Sequence, residues 1–146
     1  MYELQQSHHA EEKKVMNVKR ITPVLFVKEI EPVLPFWVDR LGFTKTIEVP
    51  HGNKIGFVAL QKGSTEVMYQ SYASIAGDMP LIAETRKGPT FLYIEVDNLE
   101  AVLSALKDSR IVQPERTAFY SMREVGFQEP GGHHVTFAQP VAAAQH

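Results

Sequence analysis

Apolar positions along the chain follow two periods, one of strands and one of helices. Ile21-Thr22-Pro23-Val24-Leu25-Phe26-Val27 is a short run of β-branched and aromatic residues, the composition of a strand. Pro23 has no amide donor, which places it near the strand start or at a sheet edge. From Glu31 the period lengthens. Leu34, Trp37, Val38 and Leu41 recur at helical spacing, Pro32 and Pro35 fall in the first turn where their missing N–H groups cost nothing, and Gly42 ends the run. This predicts a helix of about three turns with one buried face, Trp37 among its core residues.

Three strand-like runs follow, Thr44–Val49, Lys54–Leu60 and Thr65–Ser71, separated by the turn signals Pro50-His51-Gly52-Asn53 and Gln61-Lys62-Gly63-Ser64. Residues 72–88 form a connection in which Ile75, Met79, Leu81 and Ile82 suggest a short helix or an ordered flap. The pattern then starts again. Thr90–Val96 reads as a strand, and Asn98 is a cap residue opening a helix whose stripe is Leu99, Val102, Leu103 and Leu106. Ile111–Pro114 is a short strand. The stretch from Phe119 to Ala138 reads as a hairpin around Glu129-Pro130-Gly131-Gly132, a tight four-residue turn.

The order strand, helix, three strands thus occurs twice. A shift of 69 residues lays Val27 on Val96, Ile30 on Leu99, Glu31 on Glu100, Val33 on Val102 and Leu34 on Leu103. The reading is α+β: two βαβββ modules, residues 19–71 and 89–140, in a single domain over residues 19–140. They form a curved, cup-shaped mixed sheet with helices outside. Residues 1–18 are a polar extension and residues 141–146 a tail. A concave face between two modules is a natural small-molecule site.

Composition narrows the classes. The chain has 146 residues, 44% hydrophobic and 22% charged, enough for one domain burying roughly 68–70% of its unfolded surface. No apolar run approaches the ~20 residues of a membrane span, and the N-terminal residues have no apolar stretch of the signal-peptide kind. The absence of cysteine excludes disulfides, thiolate-bound zinc and a cysteine nucleophile. A net charge of -2 offers no field for a nucleic-acid backbone. The expectation is a cytoplasmic protein without nucleic-acid or membrane partners.

Three pieces in this order carry a family resemblance. Ile21–Val27 is followed by Phe36-Trp37-Val38-Asp39-Arg40-Leu41-Gly42-Phe43; Phe91–Val96 precedes Asp97; and Tyr120-Ser121-Met122-Arg123-Glu124 leads to Glu129-Pro130-Gly131-Gly132-His133. Together they resemble the vicinal oxygen chelate superfamily, which holds glyoxalase I, extradiol dioxygenases, fosfomycin-resistance enzymes and bleomycin-resistance proteins. The resemblance implies the cup fold and a homodimer. In the metal-dependent members it also implies divalent-metal ligands, His or Glu, on the first and last strands of each module. Carried over, those positions are Thr22, Phe91, Thr136 and, in module one, Glu66 or a neighbour such as Met68. A phenyl ring cannot ligate and a neutral hydroxyl is a poor ligand, so the expectation is no family-type metal and no cofactor.

Strand parity selects the cup lining: Phe57, Glu66, Phe91, Tyr93, Tyr120, His134 and Thr136, with Arg123 or Glu124. A simple four-residue turn puts Arg123, Val125 and Phe127 on the Thr136 face; a bulge puts Glu124 there instead. His51 and His133 read as surface histidines, and His8-His9 as solvated. The expected function is binding of an aromatic or amphipathic small molecule without bond chemistry, as in the bleomycin-resistance type. The alternative is an enzyme of the same fold, a lyase, isomerase or dioxygenase-like protein. Glu66 or Glu124 would then be the general base and Arg123 the oxyanion partner.

Overall fold

The computed structural model describes residues 16–85 and 88–141. His8-His9, most of the N-terminal extension and residues 142–146 lie outside the described residues. Two four-stranded sheets organise the chain. The first has β1 (Val24–Val27), β2 (Thr44–His51), β3 (Lys54–Lys62) and β4 (Thr65–Ser71) in the order β1-β4-β3-β2. The second has β5 (Phe91–Glu95), β6 (Arg110–Thr117), β7 (Met122–Gln128) and β8 (His134–Pro140) in the order β5-β8-β7-β6. In each, the first strand pairs parallel with the last and the other pairs are antiparallel. The internal repeat is therefore real in three dimensions, as two mixed sheets each hydrogen-bonded within itself.

β1 begins only after Pro23, whose carbonyl accepts from the Met68 amide at 2.9 Å while its nitrogen can donate nothing. The predicted three-turn helix has a different local form. Glu31–Val33 is a 3-10 turn, with the Leu34 N–H on the Glu31 carbonyl, and Pro35–Arg40 is π-helical. The two prolines are the physical cause, because Pro35 supplies no N–H and its ring collides with the carbonyl four residues back. The segment still buries the predicted face, with Trp37 at 1% exposure. Gly42 takes φ +80° where it ends.

The connection between modules is helical: α1 (Tyr72–Asp78), capped by the Ser71 hydroxyl at 3.1 Å from the Ser74 amide, then α2 (Pro80–Thr85). In module two, α3 (Leu99–Ala105) starts at Asn98, whose side chain accepts from the Ala101 amide at 3.1 Å. One apolar cluster joins the helical sides of both sheets. Leu25, Val58, Leu60 and Tyr69 of the first sheet, Val125, Phe127, Val135 and Phe137 of the second, and Phe36, Trp37, Leu99 and Leu106 of the helical segments all belong to it. Among the described residues no helix is long and apolar enough to cross a membrane.

The turn between β7 and β8 departs from expectation in a way that decides the site. Gln128 pairs with His134, so the connection has five residues, Glu129 to His133. The Glu129 amide donates to the His133 carbonyl (2.9 Å), the Gly132 amide to the Glu129 carbonyl (2.9 Å), and the His133 amide to Glu129 Oε1 (2.7 Å). The fifth residue inverts the parity of β7 relative to a four-residue turn.

Candidate functional site

The register on β7 and β8 pairs Glu124 with Ala138, Gly126 with Thr136 and Gln128 with His134. The register on β5 and β8 pairs Phe91 with His134 and Tyr93 with Thr136. Phe91, Tyr93, Glu124, His134 and Thr136 therefore share one face of the second sheet, opposite the core-facing Phe127, Val125, Val135 and Phe137. Arg123 is on the other side, where its guanidinium bonds Glu100 and Glu115. This corrects the reading that a four-residue turn gives, in which Arg123 lined the cup.

On the cup face a polar cluster centres on Glu124, 3% exposed. Its Oε2 accepts from the Tyr93 hydroxyl (2.8 Å) and the Tyr120 hydroxyl (2.6 Å). Its Oε1 accepts from Arg116 Nε (3.1 Å) and Nη2 (2.9 Å). Burial pushes the carboxyl up, but the bonds from Tyr120, Tyr93 and Arg116 together outweigh it and hold the pKa below the usual carboxylate range. Tyr93 is shifted the other way, upward, by burial and by its bond to the carboxylate. Tyr120 reaches Glu124 from a tight turn in which the Ser121 amide bonds the Ala118 carbonyl and Ser121 has φ 65°. Arg116 escaped the sequence reading; only the cross-strand pairing Arg116 with Glu124 reveals it.

Gly126 opens the floor beside this cluster. A Cβ there would lie 3.0 Å from Gln113 Cβ and 3.3 Å from Thr136 Oγ1. Phe91 leans on the His134 ring, centroids 5.0 Å apart, and His134 Nδ1 is buried without a hydrogen-bond partner among the described residues. Phe91 and Tyr93 are 72% and 52% exposed, so the second cup presents aromatic surface to solvent.

The first sheet has its own cup face. Phe57 pairs with Gln70 and Val49, and Phe26 with Gln70. With Val24, Met79 and Ile82 these side chains surround a cavity of about 620 Å³, closed on one side by the α1–α2 connection. Glu66 stands apart from it. Its Oε1 accepts from the Thr22 hydroxyl at 3.0 Å, with Arg20 at 3.8 Å. Glu66 and Tyr93 line a narrower cleft of about 290 Å³ between the modules, walled by Trp37 and Phe43.

His133 is not a surface residue. It is 5% exposed, because it belongs to the five-residue turn and is pressed between the modules. The Thr90 amide donates to its Nδ1 at 2.8 Å, which leaves the ring proton on Nε2 to donate to the Phe26 carbonyl at 2.8 Å. Beside it, Trp37 Nε1 donates to the Tyr69 hydroxyl (2.9 Å), which donates to Glu129 Oε2 (2.5 Å). These bonds tie β1, the strand before α1 and the β7–β8 turn into one rigid seam.

The Glyoxalase/Bleomycin resistance protein/Dioxygenase superfamily model matches residues 17–137. The chain belongs to this superfamily. A glyoxalase/bleomycin resistance protein/dioxygenase from Nocardioides superposes with a TM-score of 0.69 at 14% identity, over 96% of this chain and 95% of that one. A bleomycin-binding protein from Streptomyces verticillus, solved with copper(II)-bleomycin, gives 0.57 at 18%, over 88% and 99%. An antibiotic binding protein from a Streptomyces species gives 0.63 at 18%, over 86% and 98%. At these identities the likeness is one of fold. No curated protein matches the chain.

Strand register now places the superfamily's metal positions. Val24 pairs with Met68 as Tyr93 pairs with Thr136, and Tyr93 is Val24 shifted by the repeat. Met68, and not Glu66, is thus the module-one counterpart of Thr136. The four positions hold Thr22, Met68, Phe91 and Thr136: two hydroxyls, a thioether and a phenyl. This donor set does not fit a divalent ion that takes imidazole and carboxylate. Among the described residues no three His, Asp or Glu side chains come together.

Proposed function

We propose that this chain is a small-molecule binding protein that takes an aromatic or amphipathic ligand on its cup faces, without a family-type metal. The observation that carries the reading is the pairing of that donor set with cup faces built from Phe26, Phe57, Phe91, Tyr93 and Tyr120. Aromatic walls bind by area and ring geometry; the Glu124–Arg116–tyrosine cluster would orient the polar end of a guest. Superfamily neighbours named for binding bleomycin and an antibiotic support a binding role for the fold. A homodimer belongs to the same proposal, since a second copy would cover the exposed Phe91 and Tyr93.

The catalytic alternative is weakened at two of its three residues. Arg123 faces away from the cup, and Glu124 has both oxygens occupied and a lowered pKa, the opposite of what a general base needs at neutral pH. Glu66 alone keeps that possibility. The test is an NMR screen of amphipathic aromatic compounds against labelled protein in EDTA. The reading expects shifts at Phe57, Tyr93 and Gly126; binders that appear only after Zn²⁺, Ni²⁺, Mn²⁺ or Fe²⁺ is added would overturn it. A Glu66→Gln variant that still binds a compound but no longer turns it over would establish the alternative.

A further inference from the structure

The module-one cavity has a chemically one-sided polar wall. We propose that it selects a cationic guest, a protonated amine carried on an apolar or aromatic body. This rests on the binding reading and adds to it the charge class of the ligand.

Three polar residues reach the cavity, Gln70 from β4 and Ser74 and Asp78 from α1. Gln70 Nε2 donates to Ser74 Oγ at 3.0 Å and lies 3.4 Å from Asp78 Oδ2. A carboxylate only accepts, so these contacts fix the amide with its nitrogen toward α1. Its two N–H groups are then used, and Oε1 is left with no donor among the described residues. Asp78 makes no ion pair among them either, and no Lys, Arg or His among the described residues lines the cavity. Among the described residues, apart from the Ser74 hydroxyl hydrogen, the free side-chain polar valences on this wall are therefore acceptors, and the formal charge it carries, on Asp78, is negative.

The rest of the lining is apolar, with the Phe26 and Phe57 rings among it. An ammonium has three donors and no acceptor. It matches Gln70 Oε1 and the Asp78 carboxylate, and ring faces add a favourable quadrupole to a nearby cation. A carboxylate guest would meet only acceptors and a like charge, at a desolvation cost nothing on the wall offsets. A neutral guest would gain the apolar contacts and leave Asp78 unpaired.

Matched probes test this: 3-phenylpropylammonium, 3-phenylpropanol and 3-phenylpropanoate, titrated into the full chain at neutral pH and followed by amide shifts of Phe57 and Gln70. The ammonium should bind tighter than the alcohol by on the order of tenfold, as a charge-assisted contact gives, and the carboxylate should bind weakest. Asp78→Asn should remove the ammonium's advantage over the alcohol. Equal binding of all three at Phe57 would sink the charge preference while leaving the binding reading intact. An ammonium preference that survives Asp78→Asn would also overturn it. If none of the three shifts Phe57 or Gln70, both this inference and the ligand role of the module-one cavity fall.

Discussion

Glu124 draws side chains from three places onto one carboxylate: Tyr93 from β5, Arg116 from β6 and Tyr120 from the turn before β7. Its folded pKa lies below its unfolded one, so the folded state holds fewer protons in the acid range. The stabilisation is complete above the unfolded value of about 4.3 and is lost as pH falls through the lower folded value. Glu124→Gln should flatten the acid limb of stability measured by urea unfolding across that window. His133 is the second residue whose role is set by placement. His133→Ala leaves the Thr90 N–H and the Phe26 carbonyl unpaired between modules, and should cost about 1–3 kcal/mol for each group that water cannot reach. Sequence brought Glu124 forward as a charge among apolar neighbours. It could not bring forward Arg116, eight positions away on another strand, because that pairing exists only once the register is set.

At the scale of elements, strand positions were legible and turn geometry was not. Period-two runs located the strands, and Asn98 marked the start of α3 where its side chain caps it. The number of residues between Gln128 and His134 depends on Glu129 bonding back to the His133 amide, a contact that Pro-Gly-Gly composition does not reveal. That one residue separates the faces of Arg123 and Glu124. The same turn yields a stability prediction. Gly131 has no room for a side chain, since a Cβ would stand 2.6 Å from Val27 Cγ1 and 3.1 Å from Val33 Cγ2. Gly131→Ala should therefore destabilise by about 1–3 kcal/mol, the cost of overpacking, read as a lower urea midpoint. Gly132 differs in kind, with φ +96° and nothing near its missing Cβ. The prolines at 32 and 35 likewise marked a helix start correctly but not its tightened and then widened turns.

For the whole molecule, the repeat was the most informative feature of the sequence, because it reappears as matching strand pairs in two sheets, with Val24 on Met68 in one and Tyr93 on Thr136 in the other. The superfamily rests on the motif pieces and the matching family model, but the chemistry does not follow from it: the same fold carries metal sites and binding cups, and strand register is needed to tell which side chains occupy the metal positions. The open aromatic cup of module two bears on assembly. Sedimentation equilibrium is expected to show a dimer, and Phe91→Glu is expected to shift it toward monomer without lowering the urea midpoint of the chain. The central claim, binding without a metal, is tested most directly by isothermal titration calorimetry of the tightest compound from the NMR screen, in EDTA and again with one equivalent of Zn²⁺, Ni²⁺, Mn²⁺ or Fe²⁺. The account predicts the same dissociation constant in every case; affinity that appears only with one of the ions, at one ion per chain, would contradict it.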